Sequence, residues 1–324
     1  MAIRAMLYDA DGCDRQVEPS ADLLGTLTDR QLLWVDVHGG AEDDELASAC
    51  EALGLPTGAI ALTKDPQHSR GLRKCDAFLY AGVSALRFRS ADEWATVRMH
   101  VLWDRRVVVT AHSKEVDAFT EFRAQERGES RIGELTADVL VSALLDWHLG
   151  AFFRAAEQIE GAIDQFDERV LTHDPAQALL DELVRIRRRI ARLRTVLASQ
   201  REVVYGLTRP GIAQLIGDAG AREFAVLAAR YDRVRGLLEH AAELVHGSFD
   251  LHASRVADSV NAFVKVLTFG TVLLGAMGVI AGILGMNFQA GLFASGERGF
   301  WSVVGAEVVA ATVALIFARR RRWI

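Results

Sequence analysis

The spacing of hydrophobic and polar positions changes twice along this chain of 324 residues. Up to about residue 130, short runs alternate or are rich in β-branched residues. "LLWVDVH" (32–38), "AFLYAGVSALRF" (77–88), "VRMHVLW" (97–103) and "RVVVTAH" (106–112) predict strands of one sheet. "DDELASACEALG", from Asp44, and "EVDAFTEFRAQE", from Glu115, carry the 3.6-residue period of amphipathic helices beside it. An α/β domain over residues 1–132 is expected.

From Thr136, a plausible N-cap, the period is helical. Leu140, Leu144, Leu145 and Phe152 begin an apolar stripe. This helix turns acidic at Glu157, Glu160, Asp164, Asp167 and Glu168 and is expected to stop at "THDP" (172–175). The next helix carries "RIRRRIARLR" (185–194) and is expected to end near Pro210. A basic run of this kind can mark a nucleic-acid site. Two helices joined by a short loop pack antiparallel, however, and an acidic one beside a basic one needs no nucleic acid. After Gly220 one helical pattern reaches Met286, about 66 residues and ~100 Å if fully helical. All five prolines precede residue 211, so no proline kinks this last part.

The second change comes at residue 266. Residues 266–286 hold no charge, and residues 299–317 hold one, Glu307. Each run is long enough to cross a bilayer. Gly275, Gly278 and Gly282 share one helix face, where backbones can approach closely. Arg319 to Arg322 follow the second run, and Arg255 and Lys265 precede the first. The positive-inside rule then puts both termini in the cytosol and residues 287–298 outside. The start, "MAIRAMLYDADG", lacks the features of a secretory signal. The organisation expected is a cytosolic α/β domain (1–132), a helical and stalk region (133–255) and a membrane hairpin with a basic tail (256–324).

Composition adds little, because the formal net charge of −6 averages over a segregated chain. Cys13, Cys50 and Cys75 have no metal or redox spacing and fit reduced thiols. The nine histidines form no catalytic or tight metal-ligand motif. With no nucleophile, phosphate loop or paired acid/base set, an enzyme is not expected, nor a resident cofactor.

The first apolar run ends abruptly in "VIAGILGMNFQAG" (279–291), so an amide, Asn287, stands at the outer mouth of the hairpin. Two spans cannot enclose a path, so transport needs an oligomer around an axis. Asparagine carbonyls arranged in a ring can hold a divalent cation through its retained water shell. This suits Mg²⁺, which dehydrates reluctantly. Here the sequence resembles the CorA family of divalent-cation transporters, with its zinc-transporting ZntB relatives. The resemblance rests on "GMN" at Gly285, Met286 and Asn287, preceded by "NAFVKVLTFGTVLLGAMGVIAGIL" (261–284), and on an arginine-rich tail after two terminal spans. "LTADVLVSALLD" and "AAEQIEGAIDQFDERVL" also look like that family's cytosolic helices. The match is good over about the last 190 residues.

The resemblance implies a homopentamer in the inner membrane. It would have a funnel of α/β and helical parts, a stalk helix lining the pore and an outer ring of second spans. It assigns Gly285, Met286 and Asn287 to the selectivity motif. It puts Asn261 and Leu267 at pore-facing positions, Leu267 in a hydrophobic constriction, and Asp250 in an acidic ring below. The chain departs from the family pattern in two places. Gly275-Ala276 replaces a mid-span Met-Pro pair, and "FQAGLFASGERGF" follows the motif where an acidic loop is usual.

Glu239, Glu243, His246 and Asp250 are spaced 4, 3 and 4 apart and form one stripe. Continued, it reaches Ala253, Ala257, Val264, Leu267, Gly275 and Gly278, the positions that the resemblance turns toward the axis. Five copies would make rings of carboxylate and imidazole, or else the stripe is a solvated helix face. Glu307 is either a functional intramembrane carboxylate or a neutral, hydrogen-bonded one. The leading reading is transport of Mg²⁺, Co²⁺ or Ni²⁺. The alternatives are Zn²⁺ transport, proton-coupled or not, and a membrane-anchored scaffold.

Overall fold

Alternation along the first 112 residues builds a sheet. The computed structural model describes residues 2–38, 51, 54, 71–75, 78–90, 93–124, 131–172, 177–286 and 296–321. Among these, seven strands form one mixed sheet: β1 (Ala2–Asp9), β2 (Arg15–Val17), β3 (Gln31–His38), β4 (Gly71–Cys75), β5 (Phe78–Phe88), β6 (Trp94–Trp103) and β7 (Val107–His112). Their order is β2-β1-β3-β7-β6-β5-β4, and only β3 and β7 pair in parallel among the described strands.

The four runs with strand patterns are β3, β5, β6 and β7. β7 is buried at every position, which is why it reads as a continuous valine-rich run instead of an alternation. β1, β2 and β4 lie outside the expected strands. β4 is short and carries Arg73 and Lys74, and β2 has three residues, so neither offers a usable period. Trp34 anchors the sheet. Its Nε1 donates to Thr110 Oγ1 at 3.0 Å, and its ring meets Phe119 edge-on at 5.6 Å.

Helix α1 (Ala21–Thr26) is capped by Ser20, whose Oγ accepts from the Leu23 N–H. The helix expected from Glu115 onward is α2 (Asp117–Ala124), and the one expected from Asp44 lies outside the described residues except for Glu51, which is helical, and Gly54. The long helices follow: α3 (Ala137–Thr172), α4 (Gln177–Ala198), α5 (Arg201–Leu207), α6 (Pro210–Leu284) and α7 (Glu297–Arg320).

Two expectations need correction. Thr136 does stand just before α3, but its hydroxyl is buried without a hydrogen-bond partner among the described residues. The first turn is held instead by backbone, with the Ala137 N–H donating to the Arg105 carbonyl at 3.2 Å. The basic helix stops at Ala198, well short of Pro210. Gln200 turns inward there, donating to the Ser84 carbonyl and accepting from His148, and Pro210 instead opens α6 at the position where proline costs a helix nothing. The helical pattern expected after Gly220 runs unbroken to Leu284, and α6 is broken before it, at a glycine. Gly217 has φ 68° and ψ 169°, a conformation that side chains with a Cβ resist.

The contacts divide the chain into two units, and α3, α4 and α6 contribute to both. One unit comprises residues 1–165 and 181–246, the other residues 166–180 and 247–324. In the first, α3 and α6 lie so close that a Cβ on Gly220 would stand 2.6 Å from the Cβ of Asp138. Further along the same pair of helices, Arg230 pairs with Asp146 and covers the Phe153 ring. In the second, Arg255 donates to the carbonyls of Val170 and Leu171, at 3.3 and 3.1 Å, and so caps the end of α3 with a cation.

By length and composition α3, α6 and α7 could each cross a membrane. The apolar window of α3 is 61% buried within the chain, whereas those of α6 and α7 are 0% buried. The side chains of α3 are therefore spent on its own core, and α6 and α7 leave theirs uncovered, as a membrane hairpin requires.

Candidate ion pathway

Helix α6 sorts its residues by face. Up to His246 it buries Phe224, Leu227, Tyr231, Val234, Leu238, Ala241 and Val245, three or four positions apart. Glu239, Glu243 and His246 are exposed on the other side, at ~100° per residue. Glu239 is partly neutralised by Arg235, whose Nη1 lies 3.8 Å from its Oε1. Both side chains are about half exposed, so this pair is weak.

Beyond Gly247, Asp250 is exposed, and so are Asn261, Val264, Leu267, Gly275 and Gly278. Leu267 keeps 58% of its surface and Val264 49%. The half-buried positions past residue 266 are Phe269, Gly270, Leu273 and Met277, a separate stripe roughly opposite the first. On α7 the covered stripe is Gly299, Val303, Val304, Glu307, Ala311, Ala314 and Ala318. Such a pair of stripes is what two helices of a hairpin produce when they lie side by side. No heavy atom beyond their local chain lies within 4 Å of where a Cβ on Gly275, Gly278 or Gly282 would be. The small-residue face is thus not the one that α6 uses inside a single chain.

The helix ends at the motif. Gly285 N–H closes a last bond on the Ala281 carbonyl at 3.0 Å, and the Met286 N–H reaches the Ile283 carbonyl at 3.3 Å. Met286 is 52% exposed, and Asn287 lies outside the described residues. Among the described residues no three His, Cys, Asp or Glu side chains of one chain come together to hold a metal. Glu239, Glu243, His246 and Asp250 are instead strung along the helix. Glu307 lies on the covered face of α7, and its Oε1 is enclosed with no hydrogen-bond partner among the described residues.

The perturbed groups lie in the first unit, where the sequence offers no hint of them. His148 Nε2 donates to Gln200 Oε1 at 2.9 Å, and burial pushes its pKa down to about 4. Burial likewise lowers His100 to about 4, with the Arg98 charge adding to it, and the Tyr80 hydroxyl lies 2.8 Å from its Nδ1. Asp138 is raised to about 6 by burial, against the lowering effect of the Trp103 indole N–H at 2.8 Å. Their hydrogen-bond partners are 20 to 52 residues away in sequence, so no local pattern marks them.

Known proteins resemble the whole chain. A chain from Thermotoga maritima, called cobalt/magnesium transport protein CorA, is 24% identical over 237 residues, covering 73% of this chain and 67% of its own. Its namesake from Methanocaldococcus jannaschii is 21% identical over 313 residues, 95% of this chain and 96% of that one. The complete structure of the CorA magnesium transporter from Methanocaldococcus jannaschii superposes over 100% of both chains with a TM-score of 0.77 at 19% identity. A full-length CmaX structure gives 0.71 at 22% identity, over 99% of this chain and 97% of that one. The ZntB cytoplasmic domain from Vibrio parahaemolyticus gives 0.57 at 11% identity, over 80% of this chain and 100% of that one. At these identities the structures speak for the fold. A family model described as CorA-like Mg2+ transporter protein matches residues 29–320, nearly the full length, and the chain belongs to that family.

Proposed function

We propose that this chain assembles as a homopentamer in the inner membrane and passes divalent cations, Mg²⁺ with Co²⁺ or Ni²⁺, along its axis. The observation that carries this reading is the bare face of α6. Asn261, Val264, Leu267, Gly275 and Gly278 are all exposed, on the side away from the half-buried stripe, and lead to Gly285 and Met286. An apolar, glycine-bearing face of this length needs either lipid or further copies of itself. Around an axis, five copies would place Asn287 in a ring at the outer end and Asp250, His246, Glu243 and Glu239 on the cytosolic approach. Both termini would lie in the cytosol. In this reading residues 1–132 and 133–255 form the cytosolic part and residues 256–324 the hairpin.

Zn²⁺ is the second reading. It is favoured by His246, an exposed imidazole in an otherwise carboxylate stripe, because imidazole prefers Zn²⁺ over Mg²⁺. Purified protein in liposomes, offered Mg²⁺, Co²⁺, Ni²⁺ and Zn²⁺ with and without a pH gradient, tests both. Metal entry at the rate of empty liposomes for every ion would leave only a membrane-anchored scaffold.

A further inference from the structure

The carboxyl ends of β3 and β7, the parallel pair, open on a cavity of about 190 Å³ lined by Arg4, Asp36, His38, His112, Glu115 and Arg123. Crevices at the carboxyl ends of parallel strands are where α/β sheets hold ligands. The floor of this one is a closed hydrogen-bond network. Asp36 Oδ1 accepts from Thr110 Oγ1 at 2.6 Å and from His112 Nε2 at 2.9 Å, and Oδ2 accepts from Arg123 Nη1 at 2.6 Å. Asp36 and His112 are both more than nine-tenths buried.

His112 Nδ1 lies 2.7 Å from the Lys114 carbonyl and its Nε2 2.9 Å from Asp36 Oδ1, so both ring nitrogens face acceptors. The Asp36 carboxyl is held below its usual range by its bonds to His112 and Thr110 and by the Arg123 charge, against the opposing effect of burial. Arg4, exposed on β1 directly opposite Asp36 in the β1–β3 register, adds a second guanidinium to the lining beside that of Arg123, and Glu115 a second carboxylate. Arg123 gives Asp36 one of its five N–H groups, while its guanidinium lies over Trp34 at 5.5 Å and its side chain keeps 16% of its surface. A cation is disfavoured here, because Asp36 and His112 are already bonded to one another and to their partners, and the guanidinium groups of Arg4 and Arg123 stand beside them.

We infer that this cavity binds a small oxyanion, of the class of inorganic phosphate, through Arg4, His38 and the remaining N–H groups of Arg123. A water molecule takes up ~30 Å³, so the space admits such an ion with part of its hydration shell. The charge-assisted, forked donors of two guanidinium groups suit a tetrahedral oxyanion. The site is independent of the ion pathway.

Calorimetry on the full chain in detergent, titrated with inorganic phosphate at fixed ionic strength, tests this. Wild type is expected to bind one phosphate per chain, and Arg4→Gln to weaken it about tenfold, the scale of one charge-assisted bond. His38→Gln is expected to weaken it less. Both side chains lie outside the bonding of Asp36, so the melting temperature checks that each variant folds. Arg194→Gln, an exposed arginine elsewhere, is expected to leave binding unchanged. No heat from wild type at millimolar phosphate overturns the proposal. So does equal affinity in wild type and Arg4→Gln, or an equal loss in Arg4→Gln and Arg194→Gln, which would mean general surface attraction only.

Discussion

His148 and His100 are neutral in the fold because burial holds both near pKa 4, while in the unfolded chain each would titrate near 6.5. Below pH 6.5 the unfolded chain binds protons that the native one refuses, so stability is full above that pH and lost as pH falls toward 4. Asp138 works the other way. Its folded pKa of about 6 exceeds the ordinary value of 3.8, so its contribution is present at low pH and lost as pH rises through 6. A tenfold difference in proton affinity is worth about 1.4 kcal/mol, so two histidines outweigh one aspartate. Melting temperature is therefore expected to fall between pH 6.5 and 4, with a shallower slope in His148→Gln. A slope unchanged in that variant would remove His148 from the account. Asp138→Asn keeps an acceptor for the Trp103 indole and loses the buried charge. It is expected to gain about 1–2 kcal/mol at pH 7.5 by denaturant melts, and little at pH 3.5, below both of its pKa values.

Among the elements, α6 makes the sharpest contrast between two glycines. Gly220 and Gly236 both sit in helix, where alanine is favoured by about 1 kcal/mol. A Cβ on Gly236 meets nothing within 4 Å, so Gly236→Ala is expected to raise the melting temperature. On Gly220 it would press into Asp138, and overpacking costs about 1–3 kcal/mol, so Gly220→Ala is expected to lower it. Sequence periodicity does not separate the two, because the difference lies in a neighbouring helix. The same limit explains what else is legible. β3, β5, β6 and β7 announce themselves by runs of apolar and β-branched residues, as do the two bare spans. The stop of α4 at Ala198 is not legible, since it depends on Gln200 reaching Ser84 across 116 residues. The exposed stripe on α6 is legible from spacing alone, whereas the Asp36 network joins β3, β7 and α2 and has no spacing to show.

For the whole molecule, one chain supplies two bare spans and a face of α6 that its own α7 does not cover. Mass measurement on the detergent-solubilised protein is expected to give five copies, and a stable monomer or dimer would end the pore reading. Asn287→Ala is expected to abolish ion flux into liposomes while the oligomer stays intact. Flux near wild type would move ion selection elsewhere along the helix. The break at Gly217 lies in a backbone region essentially closed to every residue but glycine, so evolutionary drift is barred at this position even though a Cβ there would touch nothing within 4 Å.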